Sequence, residues 1–351
     1  MVFEKADCTN MRSSVPSDAG IAGTGVLLSF IFTAALALAM SASLIFQEFR
    51  ACRRKDGYCK PHAIRRKLLN SYSDQQILTG IGLQSVGLAK AATLVPYHFF
   101  IIWMLSLLSM AVHNATLLAL VHDFRRDWVL RWLRQFLMFV NLALSCLYGV
   151  YMLRATAQNL EPTMPIACVW GGGGTNTTNT TSSSGPGGGD RALNYIGTSA
   201  VIAGNCAVFA LATWYLHSRS QRFYKTIQVV GVVLMVAIAV GAAVRIGLLS
   251  QAFGTPTVPL ADRGETEWSF GQLLSLLMLL LPAISVLEIY RGDLKVAPPV
   301  EDKSYLDGSA SSPGAREEEE MQKNPRVRTN QNNNTFDPNP FFGSQTDLFK
   351  K

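Results

Sequence analysis

The stretch YSDQQILTGIGL, Tyr72 to Leu83, separates a dense basic run from apolar sequence, and its polar residues stand at that border. Ser73-Asp-Gln-Gln76 has the form of a capping box. Ser73 would be the N-cap, accepting from the backbone N–H of Gln76, while the Gln76 side chain reaches back. Asp74 in the first turn suits the positive end of a helix dipole. Near hydrocarbon such capping matters more than in water, because an orphan N–H there has no solvent partner. The pattern predicts that a membrane-crossing helix begins here, at the edge of a bilayer.

Composition supports that setting. Of the 351 residues 49% are hydrophobic and 16% charged, where a soluble domain carries about a quarter charged. The formal charge of +7 sits mostly in short segments between apolar runs, which is how membrane topology is written and not how a nucleic-acid surface is built. Seven stretches reach the ~20 residues needed to span the hydrocarbon core: 21–47, 76–95, 97–121, 133–153, 195–216, 227–249 and 268–290. The second is the weakest, interrupted by glycines and ending near Lys90. The first is too long for a signal-peptide core and reads as a retained anchor.

Lys and Arg crowd segments 48–75, 122–132 and 217–226 and are sparse in the alternate ones. The positive-inside rule then places the N-terminus outside and the C-terminus in the cytoplasm. The expected fold is all-α: an outer arm over 1–20, a seven-helix transmembrane bundle over 21–290 with a low-complexity outer loop at 155–194, and a tail over 291–351. That tail carries the acidic run Glu317–Glu320 and Asn-rich sequence with few aliphatic residues, a composition that predicts disorder. The sequons at Asn176 and Asn179 fall in the outer loop and are glycosylation candidates. Cys8 and Cys168 both fall outside, where a disulfide is chemically permitted. Cys52, just past the first span on the cytoplasmic side, is a palmitoylation candidate.

Ionisable or amide side chains within spans are functional candidates because they are costly there. Counted from the cytoplasmic ends, Gln84, His113, Asn141 and Asn205 fall roughly 12–17 Å deep, and with Asn114 they suggest one polar layer near mid-membrane. Its alternatives are interhelical hydrogen-bonding glue and a ligand site. Lys90, His98 and Arg245 lie toward the outside, either snorkelling singly or lining a vestibule for an anionic ligand. Pro282 should kink the last span.

The opening stretch also resembles a segment of a family of functionally uncharacterised polytopic membrane proteins of filamentous fungi, in which Ser-Asp-Gln-Gln, an apolar residue, Thr and Gly open the second span. Ser73, Asp74, Gln75, Gln76, Thr79 and Gly80 carry that motif here. Ile21-Ala-Gly-Thr-Gly-Val26, Tyr97-His-Phe99 and His113-Asn-Ala-Thr-Leu117 match in order, with a departure at Leu27, where such proteins often carry Arg. The resemblance covers about residues 8–290. It implies a polytopic architecture and a fungal origin, and no activity.

Enzyme readings find no footing. No span carries an Asp for an aspartyl dyad, the last span has no Lys for a Schiff base, and His98, His113 and His122 stand roughly 13–22 Å apart along one helix. No catalytic residue, metal or cofactor is implied. Receptor-like sensing at the cell surface or in secretory membranes leads, with a cytoplasmic signalling partner at the inner loops or tail. A small-molecule carrier or channel is the alternative. A structural scaffold whose segment 48–75 contacts anionic lipid, at about 1 kcal/mol per basic residue, is the third reading.

Overall fold

Apolar runs with few breakers fold as long helices, and the helices sort by what surrounds them. The computed structural model describes residues 6–8, 13–53, 63–121, 128–170, 188–217, 224–256 and 258–291. The chain separates into units Met1–Val300 and Glu301–Lys351, and the described residues belong to the first. A short α1 (Ala19–Ala22) precedes α2 (Thr24–Arg53), α3 (Ala63–Ala89), α4 (Pro96–Ala119), α5 (Trp128–Ala157), α6 (Gly188–His217) and α7 (Tyr224–Leu249). Then come α8 (Phe270–Met278) and α9 (Leu281–Arg291), and a 3-10 turn over Ile166–Val169 follows α5. No strand occurs among the described residues; Val15 and Leu260 form one isolated bridge.

Helix α4 is the axis. It packs against α2, α3, α5, α6 and α7, which close a ring around it, each touching the next. Its span is buried throughout, as expected of a helix apolar on every side. The ring helices turn apolar side chains outward instead. Phe136, Ile196, Val233 and Leu248 are all exposed, a surface that hydrocarbon tolerates and water does not. Trp132 and Trp214 stand exposed near one end of the bundle, Trp170 and Trp268 near the other, the pattern of aromatic belts. Five helical stretches are long and apolar enough to cross a bilayer: Ala19–Gln47, Pro96–Ala119, Arg131–Ala157, Tyr195–Trp214 and Thr226–Leu249. This is the architecture of a multi-pass membrane protein.

The second and seventh predicted spans differ from expectation. Helix α3 begins at Ala63, so Ser73 lies inside it and is not its N-cap. Upstream Leu69 and Tyr72 are buried, and that packing extends the helix past the polar border. The Ser73 hydroxyl meets His113 instead, and Asp74 pairs with Arg134 of α5. At 27 residues, α3 is about 40 Å long, but its packed face carries Gly80, Gln84 and Gly87, which lowers its hydropathy. A Cβ on Gly80 would meet the Ser109 hydroxyl at 2.8 Å, and one on Gly87 would strike the Tyr148 hydroxyl and Ile102. Gly87→Ala is therefore expected to destabilise the bundle by about 1–3 kcal/mol. Gly82→Ala, where the new methyl meets open space, should raise stability by about 0.5–1 kcal/mol. Thermal unfolding of the detergent-solubilised variants separates the two signs.

The last predicted span is broken. Pro282 cannot donate and its ring crowds the carbonyl four residues back, which is that of Met278, where α8 stops. Leu279 and Leu280 make tighter turns before α9 begins. Helix α8 packs on α2 and α9 on α3, both outside the ring.

Candidate functional site

Three polar constellations and one groove stand out. The first is a cap at the end of the bundle where α4 begins. Cys8 and Cys168 are joined by a disulfide, 160 residues apart in sequence, which ties the N-terminal arm to the 3-10 turn. Val15 donates to the Pro259 carbonyl at 3.0 Å and accepts from Ala261 at 2.8 Å, so the arm also binds the loop before α8. Hydrogen bonds from Ser17 hold the Asp262 carboxyl below the usual carboxylate range. That contact contributes fully above the ordinary Asp range and is lost as the pH falls through the lowered value.

Beneath the cap, Glu265 is fully buried. Tyr97 donates its hydroxyl to Glu265 Oε2 at 2.8 Å, and His98 Nε2 lies 2.8 Å from Oε1. The Gln251 backbone N–H donates to the Tyr97 oxygen at 3.0 Å, and Thr24 donates through both its N–H and its hydroxyl to the Glu265 carbonyl. One loop residue thus joins the first turn of α4, through its carboxylate, to the start of α2, through its backbone carbonyl. Sequence reasoning placed Tyr97 and His98 here and missed Glu265, which reads as an ordinary loop charge.

The expected outer vestibule divides. His98 pairs with Glu265, Lys90 pairs with Asp18 at 2.8 Å, and Arg245 is exposed on α7. His98 is buried, while Lys90 and Arg245 are exposed.

The expected polar layer divides too. Gln84 donates to Asn141 and to the Gly80 carbonyl, Asn141 donates to Met110 sulfur at 3.2 Å, and the Tyr148 hydroxyl donates to the Gln84 carbonyl at 2.8 Å. His113 Nδ1 lies 3.2 Å from the Ser73 hydroxyl, eleven residues from Gln84 along α3 and hence about 16 Å from its level. The difference arises because α3 starts ten residues before the assumed cap, which shifts the depth count. Among the described residues, Asn114 reaches only Met235 sulfur, at 3.5 Å, and both amide atoms of Asn205 are buried without a hydrogen-bond partner. Thr79 donates back to the Gln75 carbonyl.

The groove has a volume of about 360 Å³ and runs between α2, α3 and α8. Val26 and Phe30, Leu83 and Val86, and Leu274 and Met278 supply its walls. The Lys90–Asp18 pair stands at one end, Gln75 and Gln76 at the other.

Cys146 and Cys206 are free thiols in contact at 3.6 Å between α5 and α6. Cys52 lies in the last turn of α2, with its side chain outside the described residues, as are Asn176, Asn179 and the tail. Among the described residues no three His, Cys, Asp or Glu side chains come together to hold a metal. No family model, curated protein or solved structure matches the chain.

Proposed function

We propose that the chain is a seven-span membrane protein of receptor-like type, with its arm outside and its tail in the cytoplasm, sensing at the cell surface or in secretory membranes. Two features support the two extra spans. Residues 15–22, 90–95, 165–170 and 258–265 gather at one end of the bundle through the bonds described above, together with those of Leu94 and Ala91 to the 3-10 turn. Helix α3 must then run back along the whole bundle from the basic segment to that end, and α8 with α9 starts from it. The fungal family resemblance agrees with this architecture.

The observation that carries the sensing role is the enclosure of α4. Its outer end is gripped by the buried Glu265 of the cap, and its far half holds His113 and Asn114 against α3 and α7. A change at the cap therefore acts on one helix that every ring helix touches. The broken last helix favours a second reading as a carrier, since discontinuous helices line transport sites. Segment 48–75 is proposed to touch anionic lipid in either case.

The test is to purify full-length protein and a form ending at Lys295 from native membranes. The sensor reading predicts a defined signalling component with the first, lost or weakened with the second. A partnerless preparation that moves solute across proteoliposomes would replace it with the carrier.

A further inference from the structure

The groove between α2, α3 and α8 has chemistry at both ends that the bundle leaves unused. Gln75 and Gln76 line one end, and each carries a buried side-chain oxygen with no hydrogen-bond partner among the described residues. Gln76 is 2% exposed. A buried amide oxygen without a donor is destabilising, and more so where no water can reach it. At the other end Lys90 uses one of its three ammonium hydrogens on Asp18. It is 49% exposed and has no other hydrogen bond to the described residues. Asp18 also accepts from the Gly20 N–H, so it holds the ammonium at the groove mouth with its own second oxygen already engaged.

Between these ends the walls are apolar. Gln76 and Lys90 are fourteen residues apart, about 21 Å along α3. The groove is long, narrow and open at the side to the surface that faces hydrocarbon. An orphan acceptor at one end, an under-used cation at the other and an apolar channel between them define an occupant by its chemistry.

We propose that this groove binds a single-chain anionic amphiphile whose carboxylate or phosphate head sits at Lys90 and whose distal hydroxyl donates to Gln75 or Gln76. The site serves a sensor, as its ligand pocket, or a carrier, as its entry route, so it does not depend on which reading of the function holds. Gly82 is its natural control. It lines the groove, and a Cβ built on it meets nothing within 4 Å, so a larger side chain there fills the channel without disturbing the helix packing.

The experiment measures binding of radiolabelled ω-hydroxypalmitate, palmitate, hexadecyl phosphate and methyl palmitate to the full chain in nanodiscs. The expected result is Lys90-dependent binding of at least one anion, with ω-hydroxypalmitate several-fold tighter than palmitate and the uncharged ester weakest. The stronger of carboxylate and phosphate identifies the head group. Lys90→Gln should weaken the anions about tenfold. Gln76→Leu should erase the preference for the hydroxylated chain and leave palmitate binding as it was. Gly82→Leu should abolish saturable binding while the thermal midpoint stays at or above that of the wild type, which separates a blocked site from a misfolded protein. Equal binding of ester and acid, or unchanged binding in folded Gly82→Leu, overturns the proposal and leaves the groove an annular lipid contact.

Discussion

Glu265→Ala is expected to destabilise the protein by about 3–5 kcal/mol, the effect of removing one partner from a buried, hydrogen-bonded pair. The carboxylate is fully buried and holds both the Tyr97 hydroxyl and His98 Nε2. Alanine would strand two side chains in the first turn of α4, while the Glu265 carbonyl keeps its bonds from Thr24. The loss is thus assigned to the side chain and not to a loop that has come away. Glu265→Gln keeps the shape and part of the bonding and should fall between alanine and the wild type. Thermal unfolding of solubilised protein reads the order. An alanine variant as stable as the wild type would mean that the cap contributes nothing to holding α4.

The second large effect lies at the disulfide. Closing a loop of 160 residues restricts the unfolded chain, and a native disulfide of this kind contributes about 2–4 kcal/mol. In a bilayer the unfolded chain is already confined, so Cys8→Ser should fall at the low end of that range. Its sharper consequence is local. The arm would keep the buried Val15 bridge, the exposed Ser17–Asp262 contact and the Lys90–Asp18 pair. Limited proteolysis of the variant in sealed vesicles should cut the arm at a protease dose that spares the wild type. Equal resistance would show that the noncovalent contacts alone hold it.

What the sequence discloses and what it conceals follow from the physics of each element. The five apolar helices are legible because a helix that crosses a bilayer needs a sustained apolar run, and each of them carries one. Cys8 and Cys168 share a side by loop parity, and they are the two cysteines the structure joins. Helix α3 is harder to read because its inner face is made of Gly80, Gln84 and Gly87, which pack by closeness and not by hydrophobicity. Its start was hidden by a real capping pattern at Ser73 that the longer helix overrides. The break at Leu279 and Leu280 is foreshadowed by Pro282, though the proline ends α8 outright where a kink was expected. Glu265 could not be found, because its partners Tyr97 and His98 lie 168 and 167 residues away and a loop carboxylate carries no local sign of burial. The groove was equally hidden. Gln75 and Gln76 read as capping residues, and only the seating of α8 against α2 gives them a shared channel with Lys90.

The proposal that α3 crosses the membrane, and so places the cap outside, is open to one direct measurement. Thr93 is exposed between α3 and α4, at the cap end, while the native Cys59 lies in the basic segment before α3. A Thr93→Cys variant and the wild type are treated in intact cells with a membrane-impermeant maleimide, before and after permeabilisation. The account predicts labelling of the variant from outside, with the wild type labelled only once the membrane is opened. If the new cysteine stays unlabelled until permeabilisation, α3 does not cross, and both the seven-span topology and the outward cap fall with it.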